Sequence, residues 1–388
     1  MIESAVVYSS ATAEQQAATE LAEAIAKAMP GRPPDALVLF AAPTYDQGAL
    51  LRALDAACHP ALLIGASSAG EFTNETRGEG LACGLALRSD EMRFAAGIGR
   101  NLRADRAGAA RQVFSSFQGL HSRDYAYRSA LVMTDALAGH ADDLIDHLTL
   151  ISSGKYQFFG GGAGDNAQFS RTNVFFGTEV VSDAVVGMEI LSHKALGVGV
   201  AHGWEPSSKG MRVTASEGMR LISLNGLPAL QSFQEHAAAT GQVLDVAEPI
   251  PFFLQNILGI ETASGHRLRV PLSVGADGSV ACASEVPTGS IVHFMKTPTS
   301  SAIEAAAQAT RTALAGLGEG KPQVALFFDC VATRLRMGDA FGFELKALAA
   351  QLGDTAYVGC NTHGQIARSP GQFSGFHNCT AVVCILPQ

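Results

Sequence analysis

Short apolar runs alternate with longer segments of helical period from the start of the chain. Ala5-Val6-Val7-Tyr8 reads as a strand. Glu14 to Met29 carries the helical spacing of apolar positions, with Thr12 placed to cap it and Pro30-Gly31 to stop it. Ala36-Leu37-Val38-Leu39-Phe40 is a continuous apolar run, the pattern of a strand covered on both faces. Gln47 to Cys58 predicts a helix, and Ala61-Leu62-Leu63-Ile64 the next strand. The order βαβαβ predicts α/β layers.

The pattern then recurs. The unit beginning at Asp35 runs strand, helix, strand and the loop Gly65-Ala66-Ser67-Ser68-Ala69-Gly70-Glu71, then a strand at Gly84-Leu85-Ala86-Leu87. The unit beginning at Ser129 has a strand at Ala130 to Met133, a helix near Asp142 to Ile151, and Phe158-Phe159. Its loop is Gly160-Gly161-Gly162-Ala163-Gly164-Asp165, followed by a strand at Val185 to Ile190. The unit beginning at Gln323 has a strand at Val324 to Phe328, a helix from about Asp339 to Leu352, and Tyr357-Val358. Its loop is Gly359-Cys360-Asn361-Thr362-His363-Gly364-Gln365, and a strand follows from Thr380 to Leu386. Glycines permit positive φ and close backbone approach, and free N–H groups between them can line a concave site. For any one loop, a tight turn closing the unit is the better account of the glycines. Three similar loops point to a shared architectural role.

Asn225-Gly226-Leu227-Pro228 is strong turn chemistry, and Leu221 to Phe233 reads as a connector. The expected division is therefore 1–225 and 226–388. Short strands fill 250–295, and a helix covers about Ser301 to Leu314. The fold expected is α/β: a two-part module of repeated β-α-β units, with Gly-rich loops at strand ends and mixed sheets covered by helices.

The net charge of −9, with basic residues scattered singly, gives no reason to expect nucleic acid or an anionic membrane as partner. No apolar run has the length of a membrane helix, and the first residues lack the pattern of a signal peptide. A cytoplasmic location is expected. The 7 cysteines include no CxxC pair, so reduced packing cysteines are expected, and CxxCH attachment of haem is excluded.

These motifs resemble the FIST family of sensory domains. Gly65 to Glu71 matches the Gly-small-small-small-Gly-Glu turn of its N-terminal half. Gly161-Gly162-Ala163-Gly164-Asp165, Val174-Phe175-Phe176, Val186-Gly187 and Gly203-Trp204-Glu205-Pro206 follow in the family's order. Gly359 to Ile366 and Phe376-His377-Asn378-Cys379-Thr380 match its C-terminal half. The resemblance spans nearly the whole chain. It implies a two-part small-ligand sensor of prokaryotic signalling that acts in trans, on a histidine kinase or a cyclic-di-GMP enzyme in the case of the haem-binding subset, with a homodimer as one expected state. One subset of the family binds haem b non-covalently and senses nitric oxide. Other members bind amino acids or similar small polar molecules. This chain departs from the commonest pattern by carrying His363 for Tyr and Gln365 for Glu.

A sensor haem needs an axial donor, usually neutral His, and an apolar pocket. His363 between Gly359 and Gly364 is the expected metal ligand, with Cys360 as the thiolate alternative. The other reading of His363 is a loop histidine bonded to its own turn. His377 matches a general family position and reads as a buried histidine bonding that loop. Gly65, Gly70, Glu71, Gly162, Gly164 and Asp165 are candidate ligand contacts, the acids equally able to cap a helix or pair with arginine. Trp204 lines the pocket or packs in the core. His140 and His147 read as part of a solvated helix face. No Walker A, GxSxG, HExxH or kinase signature occurs. The expectation is therefore a sensor and not an enzyme, the alternative being a hydrolase with a loop Ser or Cys.

Overall fold

The computed structural model describes residues 2–263, 265–368 and 375–388. Three units of one plan build most of it. Each has an edge strand, an outer helix, a first inner strand, a second helix, a second inner strand, a hairpin and a return strand. Unit 1 uses Ile2–Ser9, Glu14–Ala28, Ala36–Ala41, Gln47–Cys58, Leu63–Ser67, the hairpin Glu71–Thr73 with Arg77–Gly78, and Ala82–Ser89. Unit 2 uses Arg93–Arg100, Arg106–Phe114, Tyr127–Thr134, Ala141–Ile151, Gln157–Gly162, the hairpin Val174–Phe176 with Glu179–Val181, and Ala184–Ser192. Unit 3 uses Gly197–Ala201, Thr299–Gly316, Pro322–Cys330, Phe341–Leu352, Ala356–Thr362, the hairpin Gln365–Arg368 with Gly375–His377, and Ala381–Pro387.

The hairpins are exchanged in a ring. Unit 1's hairpin pairs antiparallel with the second inner strand of unit 3 (Gly359↔Phe72). Unit 2's pairs with unit 1 (Gly65↔Phe175), and unit 3's pairs with unit 2 (Gly160↔Ile366). Gly65, Gly160 and Gly359 hold one register position, opposite Leu39, Val132 and Phe327 on the parallel first inner strands. A Cβ there would lie 1.8, 2.0 and 1.9 Å from the carbonyl oxygens of those three residues. Only glycine fits the crossing.

Burial on both faces explains the unbroken apolar strands. Val38, Phe40, Leu131, Phe159, Leu326 and Phe328, from all three sheets, meet in one inner core. Phe40 and Phe328 stand edge to face with centroids 5.7 Å apart. The outer face of each sheet packs on its unit's own two helices through separate clusters.

Residues between the edge strand and outer helix of unit 3 fold as an inserted antiparallel sheet. Its core holds Val213, Phe233, Phe253, Ile260 and Phe294. The expected connector is part of it. Arg220–Leu224 pairs with Leu227–Pro228 across the turn at Asn225 (φ 50°) and Gly226 (φ 84°), and the helix Ala229–Thr240 buries Ala229, Phe233 and Ala237. A division at 225/226 falls inside that turn. Both this sheet and unit 3's sheet take strands from either side of it.

Thr12 does not cap the first helix, which begins at Glu14 after Ala13 without a side-chain cap. The helix Gln47–Cys58 is capped by Asp46, which accepts from the Ala49 amide at 2.9 Å. Among the described residues, no helix is long and apolar enough to cross a membrane.

Candidate functional site

The hairpin exchange brings the three Gly-rich loops together. The Gly164 amide donates to the Ser67 carbonyl at 2.8 Å, linking loops two and one. Ala69 donates to the Asn361 carbonyl at 2.9 Å and Asn361 donates to the Gly70 carbonyl at 2.8 Å, linking loops one and three. Gly162 donates to Gly364 at 2.8 Å and His363 donates to Gly162 at 3.0 Å, closing the ring. Gly162, Gly164 and Gly364 thus serve the junction through their backbone. Loop three lies beside Ala136, after the first inner strand of unit 2, and loop one beside Arg334, after the first inner strand of unit 3.

Two cavities open at these places. The first is apolar and encloses about 600 Å³. Ala136 and Leu137 follow the first inner strand of unit 2, His363 and Phe169 come from loops, and Met219 and Leu272 come from the inserted sheet. His363 is 8% exposed, and its ring stacks on Phe169 with centroids 4.6 Å apart. Neither ring nitrogen has a hydrogen-bond partner. Nε2 lies 3.3 Å from Asp165 Oδ1, a contact without hydrogen-bond geometry. Loss of solvent holds the imidazole near a pKa of about 4, despite Asp165 and Asp135 nearby, so it is neutral at pH 7. His140, at the same cavity, is engaged by Glu285.

The second cavity is polar and encloses about 380 Å³. Arg334 and Leu335 sit on the helix Val331–Met337 after the first inner strand of unit 3, and Glu71 and Phe72 come from unit 1. Asn361, Phe341, Arg77, Glu79 and Asp339 also line it. Asn361 is 1% exposed, and neither atom of its amide has a partner.

The expected acidic contacts are already occupied. Asp165 accepts the backbone amides of Phe169, Ser170 and Arg171 at 3.0, 2.7 and 3.0 Å. Glu71 accepts the Ser68 hydroxyl and the Leu81 amide, while burial raises its pKa to about 7. A ligand ammonium would have to compete with these loop bonds. Cys360 lies wholly inside the inner core, and burial raises its thiol well above the usual range. Gly359 and Gly65 sit at the strand crossings, outside both cavities. Trp204 lines neither cavity. It packs with Ile257, Leu268 and Met295 beneath the Arg336 guanidinium, 5.2 Å from the ring centroid. His377 is buried on its hairpin strand opposite Gln365, and burial lowers its pKa to about 3. His147 does lie on its helix surface, 3.3 Å from Asp143.

Sequence reasoning passed over Asn361, Arg334, Phe169, Met219 and Leu272. Asn361 carried a signal, because it stands inside the third Gly-rich loop. Met219 and Leu272 carried none, since their placement depends on how the inserted sheet docks.

Comparison with known proteins gives the family. The FIST N domain matches residues 35–227 and the FIST C domain matches residues 229–368. An uncharacterized protein of Methanocaldococcus jannaschii, MJ1623, is 26% identical over 147 residues, which is 36% of this chain and 29% of that protein. The chain therefore matches less than a third of the length of that relative. A crystal structure of cyanuric acid hydrolase from A. caulinodans superimposes with a TM-score of 0.39 at 8% identity, covering 100% of both chains. With FIST N and FIST C matched in succession, the chain belongs to the FIST family, whose domains are linked to small-ligand sensing in signal transduction.

Proposed function

We propose that the chain is a sensor holding haem b in the apolar cavity, with His363 as its protein ligand and nitric oxide as the signal. The carrying observation is a buried, neutral imidazole with two unpartnered nitrogens in the wall of an apolar cavity of about 600 Å³. Burying such a group without a bond costs about 1–3 kcal/mol, which an incoming ligand would recover. Among the described residues, no three His, Cys, Asp or Glu side chains converge as a metal cage. His363 thus supplies a single nitrogen donor, and it is the residue that would hold the haem iron. Bound haem would supply an iron centre open to a diatomic gas.

The chain's own residues would carry the signal outward. His363 is fixed by its backbone to Gly162, and Gly162 to Gly364. A shift of the imidazole that carries its backbone along would strain the loop junction and the exchanged hairpins that follow it. Ligand states that favour different loop positions would shift the population presented to a partner. That partner would be a histidine kinase or a cyclic-di-GMP enzyme acting in trans.

The test is an absorption titration of the purified chain with haem, oxidised and reduced, with and without nitric oxide. A saturable one-to-one Soret shift that responds to nitric oxide is expected. Weak, non-saturating association would overturn the reading.

A further inference from the structure

The polar cavity contains hydrogen-bonding capacity that the protein itself does not use. Asn361 Oδ1 and Nδ2 are both buried without partners, and so is Arg334 Nε. The Asn361 backbone is fully paired: its N–H donates to Gly70, and its carbonyl accepts from Ala69. The side chain is therefore fixed at its root and unpartnered at its tip. Gly70 keeps this corner open. A Cβ there would lie 2.8 Å from Asn361 Oδ1 and 3.4 Å from Arg334 Nε, so both polar atoms face the same small space. Gly70 has φ +123°, which further bars a side chain.

The chemistry of the occupant follows from these atoms. An unpaired amide offers one donor beside one acceptor, whichever way it is turned. A carboxamide or lactam edge answers both. A carboxylate does not, because it would set an acceptor against Asn361 Oδ1. The wall charges point the same way. Arg77 and Arg334 face Glu79 and Asp339, and Arg334 Nη1 is already paired with Glu79. Glu71 adds a carboxyl with a pKa of about 7. No excess positive charge remains to hold a free anion. Leu335, which is exposed, and the edge of Phe341 give the cavity an apolar wall.

We propose that this cavity is a second ligand site, separate from the His363 cavity, for a small carboxamide or lactam. Asn361 reads the amide edge, Arg334 Nε takes a further acceptor on the ligand, and the apolar wall covers the rest of it.

Isothermal titration of the full chain with nicotinamide, nicotinate and N,N-diethylnicotinamide tests this without any mutation. Nicotinamide should bind one-to-one, roughly tenfold or more tightly than either analogue, since each analogue leaves a buried partner unsatisfied. Asn361→Leu and Asn361→Asp should each lose roughly tenfold in nicotinamide affinity, while His363→Ala keeps it. Three results overturn the proposal: no nicotinamide binding, nicotinate or N,N-diethylnicotinamide binding equally well, or unchanged affinity in a folded Asn361 variant. Because His363→Ala leaves this site intact, failure here and failure of the haem reading are separable.

Discussion

The two cavities occupy matching places in the three-unit plan and differ in lining, the first mostly apolar and the second mixed and rich in charged residues. Each opens where a first inner strand ends, under a loop delivered by an exchanged hairpin. In unit 2 the strand Tyr127–Thr134 leads into a short turn, Ala136–Ala138, and the arriving side chain is His363. In unit 3 the strand Pro322–Cys330 leads into a helix carrying Arg334, and the arriving residues are Glu71 and Phe72. The inserted sheet covers the first cavity with Met219 and Leu272 and contributes nothing to the second. The frame thus sets where cavities form, and a few side chains set what each can hold. Both contain an unpaired buried group, His363 in one and Asn361 in the other.

The largest effect should come from breaking the frame that both share. Gly160→Val places side-chain atoms against the Val132 carbonyl, where even a Cβ would approach to 2.0 Å. Destabilisation of several kcal/mol, about 3 or more, is expected, read as loss of cooperative thermal unfolding or of soluble protein. Next comes a change confined to one cavity. Leu272→Glu puts a charge into the apolar wall and should weaken haem binding roughly a hundredfold while leaving nicotinamide titration unchanged. Loss of both together would mean that the cavities are not independent.

The pH dependence sharpens the comparison further. His363 has a folded pKa lowered from 6.5 to about 4, so the unfolded chain binds the extra proton between those values. Its contribution is present above pH 6.5 and is lost as pH falls, by up to about 1.4 kcal/mol per pH unit. Glu71 acts oppositely. Its folded pKa is raised from 4.5 to about 7, so stability associated with it falls as pH rises through that window. Wild-type protein should therefore lose more stability than His363→Gln between pH 6.5 and 4 in denaturant melts. Parallel curves would show that His363 is not held neutral. The smallest effect expected is a gain. Asn361→Leu removes an unsatisfied buried amide and should raise stability by about 1 kcal/mol in urea unfolding, at the cost of the ligand.

The units were legible because their signals are local. The runs Ala36 to Phe40 and Val324 to Phe328 and the helix at Gln47 to Cys58 appear where the sequence places them, whereas Gly65, Gly160 and Gly359, read as loop residues, lie inside the strands Leu63–Ser67, Gln157–Gly162 and Ala356–Thr362. The hairpin exchange was not legible. Gly359 meets Phe72, and Gly160 meets Ile366, across long separations that no local pattern encodes. The inserted sheet was read only as short strands and a connector, because Asn225-Gly226 marks a turn within a sheet and a boundary between domains with the same residues. His363 stood out through its glycine neighbours. Asn361 stood beside it and was passed over, since an amide declares itself only when its partners are seen to be missing. Trp204 drew notice as the single tryptophan, yet it fills a core beneath Arg336.

The most direct test of the central claim is the Soret spectrum of haem-loaded His363→Gly, recorded with and without added imidazole. If His363 is the ligand, the variant loses the saturable one-to-one band, and imidazole entering the vacated space restores it. A variant with an unchanged Soret band and unchanged nitric oxide response would contradict the account.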